Sequence, residues 1–346
     1  MSGRSPVATP APWSCSSAPA YAAQSWLGCS WTTERHRETR YEPEHEALPC
    51  PGIDARSHDA PYCDAVRETV LEQRSRPPAP VLRHAIRRYV ASEGAGLTPG
   101  THRGVPSRYL TLIVGVGCPI DVAAMPPPAQ VPRRFDALVG GLHTGPATIR
   151  YGTRIRCIRI ELTPLGARAV LGLPAGAVAE RVVALRDVLG RDGDELLDRL
   201  HAAGTWAARF AILDEVLARR VWVAGSVPAE VAWAWRSLLA SGGTMRIGAL
   251  AQRAGWGRRH LGERFRAELG LTPKAAARVL RFERSLGLLA RRGSPGLADV
   301  AAACGYADQA HLTREWRSLA GGPPAAWLAA EELPNVQDNG RLSGAA

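Results

Sequence analysis

Arginine is the residue with which this chain can do chemistry. Of its 43 basic side chains, 42 are arginine and one is Lys274. Arg258, Arg259 and His260 stand in a row ahead of Leu261, with Arg264 one helical turn further on. A guanidinium can donate two parallel hydrogen bonds to O6 and N7 of guanine, or hold a phosphate as a fixed cation. A second group, Gln309, His311 and Arg314, lies about fifty residues later, and Arg278 and Arg281 fall between the two. Covalent chemistry has fewer candidates. The seven cysteines, at 15, 29, 50, 63, 118, 157 and 304, contain no C-x-x-C pair and no tight even spacing, which argues against a disulfide framework and suits a reducing cytoplasm. His36, His45, Cys50, His58 and Cys63 are separated by 9, 5, 8 and 5 residues and match no compact metal-ligand pattern. His102 and His143 have no partner at catalytic spacing. No catalytic residue, metal or cofactor is expected.

The elements that must position the arginines are legible as an internal repeat over residues 246–327. Ile247, Leu250, Ala251 and Ala254 recur fifty residues later as Leu297, Val300, Ala301 and Cys304, one amphipathic helix in each copy. Each helix is followed by glycine and an aromatic, Gly255-Trp256 and Gly305-Tyr306, where glycine supplies the left-handed turn out of a helix. A second helix follows each, with Leu261 and Phe265, then Leu312 and Trp316, facing inward. Both copies keep a Gly and then a Pro, Gly270 and Pro273, Gly321 and Pro324. Helix, glycine turn, helix is the layout of a helix-turn-helix, whose second helix lies in the DNA major groove. Thr272-Pro273 caps a linking helix with Val279, Phe282, Leu286 and Leu289 on one face. Charge agrees with this placement. Residues 246–317 hold fourteen basic and six acidic side chains, a net +8 of the chain's +11, so attraction to phosphate is concentrated on the repeat. Trp256, Phe265, Tyr306 and Trp316 hold repeated inward positions and are expected in the core.

The segment GALAQRAGWGRRHLGERFRAELGLTPKAAARVLRFERSLGLL, with LADVAAACGYADQAHLTREWRSLAGGPPAAW after it, resembles the DNA-binding region of the AraC/XylS family of bacterial transcription regulators. The resemblance spans about 85 of 346 residues. It implies two recognition helices reading successive major-groove segments, with Gln309 and Arg314 near DNA, and it makes RNA polymerase, a small-molecule effector and a second copy of the chain expected partners. Gly257 stands where the first unit of that family often has a serine cap. Arg258 or Arg259 is expected to read bases, Arg264 to meet phosphate or groove, and Arg281 to clamp phosphate or pair with Glu283 or Glu315 inside the protein. His260 and His311 are further contact candidates, and Asp308 is placed to cap its helix.

Ahead of the repeat the pattern is mixed. Residues 1–75 hold seven aliphatic positions and are expected to be a disordered extension. From 76 to 225 an α+β regulatory domain is expected, similar to those that accompany this DNA-binding half in actinobacterial members. Tyr109–Val116 reads as a buried strand and Arg154–Leu162 as an alternating one, with a bulge at Cys157-Ile158. A further strand is expected around Thr148–Tyr151. Helices are expected from Thr163-Pro164, from Asp194, and over Trp206–Leu217, whose apolar stripe suits a core or a dimer interface. An all-α domain over 226–333 and a disordered tail, 334–346, complete the chain. No apolar run approaches membrane-spanning length. Two rivals compete with a regulator: a DNA-docked enzyme such as a repair methyl acceptor using Cys118 or Cys157, which needs an activated thiolate, and a nucleoid protein binding DNA without sequence preference.

Overall fold

In a computed structural model that describes residues 71–125, 130–221, 227–291 and 293–330, two antiparallel sheets build the first part of the described chain. The larger antiparallel sheet has the spatial order β1 (Leu71–Arg76), β2 (Ile86–Ala95), β9 (Arg154–Leu162), β4 (Leu110–Gly115), β7 (Ala137–Gly140), β10 (Val182–Ala184). The smaller has the order β3 (Gly100–Gly104), β8 (Ala147–Tyr151), β5 (Ile120–Ala124), β6 (Arg133–Phe135). Ile158, Ile160 and Leu162 of β9 are fully buried in the main core, whereas Ile155, Cys157 and Arg159 face the space between the sheets. That two-sided burial accounts for the uneven parity of the sequence. The bulge expected at Cys157-Ile158 is absent: pairing of β9 with β2 and β4 is unbroken there, and the irregularity lies between Ile86 and Arg88.

Residues 71–75, expected to be disordered, belong to edge strand β1, paired from Leu71 opposite Gly94 to Arg76 opposite Tyr89. Backbone pairing needs little apolar content, so composition understated order here. Residues 1–70 and 331–346 lie outside the described residues, and with them the His/Cys group at 36–63 and nearly all of the expected extension and tail.

Thr163 opens the helical layer as expected, its hydroxyl accepting from the Gly166 N–H at 3.0 Å, ahead of α1 (Ala167–Leu171). After α2 (Leu185–Leu189), α3 (Arg191–Ala202) starts three residues before Asp194, because Gly190 at φ 58° turns the chain out of α2. The stripe of α4 (Trp206–Val221) is core and not a dimer face: Phe210 stacks on Tyr89 at 5.9 Å, and Asp214 accepts from the Tyr89 hydroxyl at 3.0 Å.

The second half is all helix: α5 (Ala229–Ala240), α6 (Ile247–Arg253), α7 (Arg258–Leu269), α8 (Pro273–Leu289), α9 (Leu297–Ala303), α10 (Gln309–Ala320) and α11 (Pro324–Ala330). The two halves share one hydrophobic core and lie within one unit, 64–346. Charge ties them as well. Arg168 of α1 donates to both carboxylate oxygens of Glu268 on α7, at 2.9 and 2.8 Å. Glu283 on α8 accepts from the Arg108 backbone at 2.8 Å, the Arg108 guanidinium at 2.5 Å and the Ser107 hydroxyl at 3.1 Å. Among the described residues no helix is long and apolar enough to cross a membrane.

Candidate nucleic-acid interface

The duplication is exact enough in its hydrogen bonding to define the interface. Gly255 and Gly305 take φ of 71° and 75°, and the next residue in each copy, Trp256 or Tyr306, donates its N–H back to Ala251 or Ala301, at 3.0 and 2.9 Å. The first helix of each unit therefore ends in the same turn, and the path on to the second is one residue longer before α10 than before α7. Both bury the same four offsets: Leu261, Phe265, Glu268 and Leu269 in α7, and Leu312, Trp316, Leu319 and Ala320 in α10. α7 is held on α5 by Phe265 against Trp235, with ring centroids 6.2 Å apart. α10 is held on α8 by Trp316, whose ring meets Phe282 at 4.9 Å and whose Nε1 donates to Ser285 Oγ at 2.9 Å. The helix starts differ. Asp308 caps α10 by accepting from the His311 N–H at 2.6 Å, while Gly257 gives α7 no side-chain cap.

Burial of one face leaves the other for a ligand. Arg258, Arg264, Gln309 and Arg314 are exposed, and among the described residues their side chains have no hydrogen-bond or ion-pair partner. Arg259 is exposed too, paired with Glu263 one turn on at 2.8 Å; such exposed pairs exchange readily for another anion. His260 is exposed with its ring edge-on to Trp256 at 4.7 Å.

Two expected contacts have partners within the protein. Arg281 points inward: Nη1 donates to the Gly243 carbonyl at 3.1 Å, Nη2 to Glu315 at 3.2 Å, and the guanidinium lies over Tyr306. Arg278 shares the same carboxylate at 2.9 Å. Of the two internal pairings expected for Arg281, the structure has Glu315; Glu283 is taken by Arg108. His311 is half-buried, with Nδ1 accepting from the Ala307 N–H at 3.3 Å and its ring edge-on to Tyr306 at 5.3 Å. The buried carboxylate of Glu315 and the aromatic beneath it recruit these cations, a demand that one helix's sequence does not reveal. Conversely, the repeat offset matches Arg266 with Arg317, both exposed; neither belongs to the expected contacts, because each follows an inward aromatic near the end of its helix.

A family model described as a helix-turn-helix domain matches residues 250–330. The DNA-binding domain of AdpA, a global transcriptional factor solved in complex with a target DNA, is 31% identical over 29% of this chain and 87% of its own, with a TM-score of 0.26. This chain belongs to the AraC/XylS family of transcription regulators. Two other solved relatives are more distant in sequence. ToxT from Vibrio cholerae is 10% identical over 70% of this chain and 97% of its own, TM-score 0.43. The C-terminal domain of AraT, a response regulator from Geobacillus stearothermophilus, is 15% identical over 34% and 98%, TM-score 0.29. No curated protein matches. Like its relatives, this AraC/XylS-type chain is a DNA-binding regulator.

In this regulator the buried and exposed arginines should separate experimentally. Arg281→Ala is expected to lower stability by about 1–3 kcal/mol in thermal or urea melts, because Glu315 and Gly243 lose a buried donor. The slope of log affinity against log salt should stay unchanged. Arg264→Ala should leave the melt within about 0.5 kcal/mol and flatten that slope by about 1, as one phosphate contact requires. A flattened slope for Arg281→Ala would restore it to the interface.

Proposed function

We propose that the chain reads two successive major-groove segments of double-stranded DNA with α7 and α10, and that the β-sheet half tunes this reading in response to a small molecule. The observation that carries the first part is the matched exposure of the two helices. Their N-terminal ends present Arg258 and Gln309 at equivalent, exposed positions while one face of each helix is buried along its length, the arrangement by which recognition helices reach base edges. Arg258 and Arg314 are the base readers in this reading, with Arg259 and Gln309 supporting them and Arg264, Arg266 and Arg317 meeting phosphate. His260 orients Trp256. One chain carries both readers, so a bipartite site requires neither a second copy nor RNA polymerase, although either can join.

The second part rests on a cavity of about 670 Å³ between the sheets, a volume suited to a drug-sized ligand. Ile113, Ile120, Val122, Leu138 and Ile149 give it apolar walls, and Arg159, Ser92 and His143 give it polar points. A mainly apolar effector with a polar or anionic group fits those walls. No catalytic step is needed, and the working compartment is the cytoplasm, with the chromosome. Cys118 and Cys157 line the cavity, but burial pushes the Cys157 thiol up to about 11, the reverse of what an activated nucleophile requires.

Selection of duplexes from a random pool by the full chain tests the proposal. Two enriched half-sites about ten base pairs apart between centres are expected. Binding that falls with salt but enriches no sequence would replace this reading with that of a nucleoid protein.

A further inference from the structure

The loop that follows β7, residues 141–146, meets the cavity and the grips on both recognition helices. Gly140 and His143 line the cavity at its start. Gly141 packs backbone to backbone on the 3-10 turn Ala175–Val178, where an added Cβ would overlap the Val178 carbonyl oxygen. The residues that follow the turn are also bonded to the loop. The Glu180 N–H donates to the Leu142 carbonyl and the Gly141 N–H to the Arg181 carbonyl, both at 2.9 Å, and the Thr144 hydroxyl donates to the Glu180 carboxylate at 3.0 Å. Glu180 sits at φ 59°, the one positive value outside glycine among the described residues, so this junction is held against a local cost. Two residues on, Val182 of β10 is again cavity wall.

From this hub two contacts reach the DNA-binding half. The 3-10 turn lies against the end of α7: a Cβ at Gly176 would overlap the Ala267 carbonyl oxygen, and one at Gly270 would overlap the Ala179 side chain. At the far end of the loop, Pro146 Cγ lies 3.3 Å from where a Cβ at Gly321 would stand. Gly270 and Gly321 are the matched C-cap glycines of α7 and α10, at φ 89° and 77°. The regulatory half thus meets both copies of the duplicated reader at the same point of the repeat.

We propose that the 141–146 loop and the 175–178 turn form a coupling hub through which filling of the cavity resets α7 and α10 relative to one another. The inference rests on the effector reading of the cavity. Backbone meets backbone at Gly141 and Gly176, and only the Ala179 methyl and the Pro146 ring stand at Gly270 and Gly321, so no long side chain can rotate away and a wall displacement is passed on rather than absorbed. Shifts of about 1–2 Å at helix ends are ordinary in such transitions, and hydrogen bonds to base edges tolerate only a few tenths of that. Beside the hub, Arg168 of α1 pairs with Glu268 and holds the end of α7 on the regulatory half.

Hydrogen exchange of the full chain tests the hub in two ways. One uses 1-anilinonaphthalene-8-sulfonate, an apolar anion, as the cavity probe. The other uses Ile149→Trp, which puts an indole into the cavity without ligand. In both, amides of 263–270 and 315–321 are expected to change exchange rate by at least about threefold, while those of α9 stay constant. The variant should also block probe uptake. Uptake with no change at α7 and α10, or a change confined to one of them, overturns the hub. No uptake by the wild type overturns the effector reading, and the hub then stands or falls on Ile149→Trp. Should that variant fail to fold, the probe decides.

Discussion

Replacing Arg258 and Arg314 together by alanine is expected to erase most of the preference for a selected operator. Each stands exposed on a different recognition helix with no protein partner to satisfy its guanidinium among the described residues, so DNA is free to compete for its donors. A bidentate arginine–guanine contact contributes about 1–3 kcal/mol of discrimination. The two sites share no partner, so the losses should add to about 2–6 kcal/mol, roughly 30-fold to 10⁴-fold in affinity. The readout is the ratio of affinities for the selected and a scrambled duplex, measured at one salt concentration. That ratio should collapse, whereas affinity for the scrambled duplex should fall only by what two lost charges explain. If both duplexes weaken in parallel, the two arginines hold phosphate and base reading belongs to other residues.

The largest stability effect is expected at Glu315→Ala. This carboxylate, buried on α10, accepts from Arg278 at 2.9 Å and Arg281 at 3.2 Å and has the His311 Nε2 at 3.7 Å. Removing it leaves Arg281, itself largely buried, without its anion while Tyr306 and Gly243 still hold it in place. Breaking a buried pair from one side typically costs about 3–5 kcal/mol. For a chain of this size that corresponds to a melting temperature lower by about 10 °C. Tryptophan fluorescence is a suitable probe, since Trp316 is the adjacent residue. Glu315→Gln keeps the shape and one acceptor, and should lose less. A loss under about 1 kcal/mol for Glu315→Ala would mean that solvent already screens the site as it does exposed pairs.

Both expectations turn on which arginines are engaged, and there the sequence was only partly informative. The exposed guanidinium of Arg258 was legible because its position is fixed locally: it opens a helix whose inward face is marked by Leu261 and Phe265. Arg281 was ambiguous for the opposite reason. Its partner lies 34 residues away, on a helix that meets α8 only after folding. His311 looked outward on a helical wheel, yet Tyr306 from the preceding turn holds its ring. Strand β1 is not legible in composition because its order comes from backbone pairing with β2, not from its own apolar content. The cavity left no mark in any single segment, since its lining comes from all ten strands together with their loops.

By itself, then, the chain's sequence determined two copies of a bihelical unit, their glycine turns, their inward faces and the strut between them. Each of these depends on residues within one or two helical turns of one another, where periodicity and backbone conformation act directly. Tertiary structure alone decided the rest: which cations are spent inside the protein, where the ligand-sized space lies, and how the sheets grip the readers. Those outcomes come from pairs such as Arg168 with Glu268 and Arg108 with Glu283, 100 and 175 residues apart. Charge and shape complementarity at that separation arises only once the chain has closed on itself.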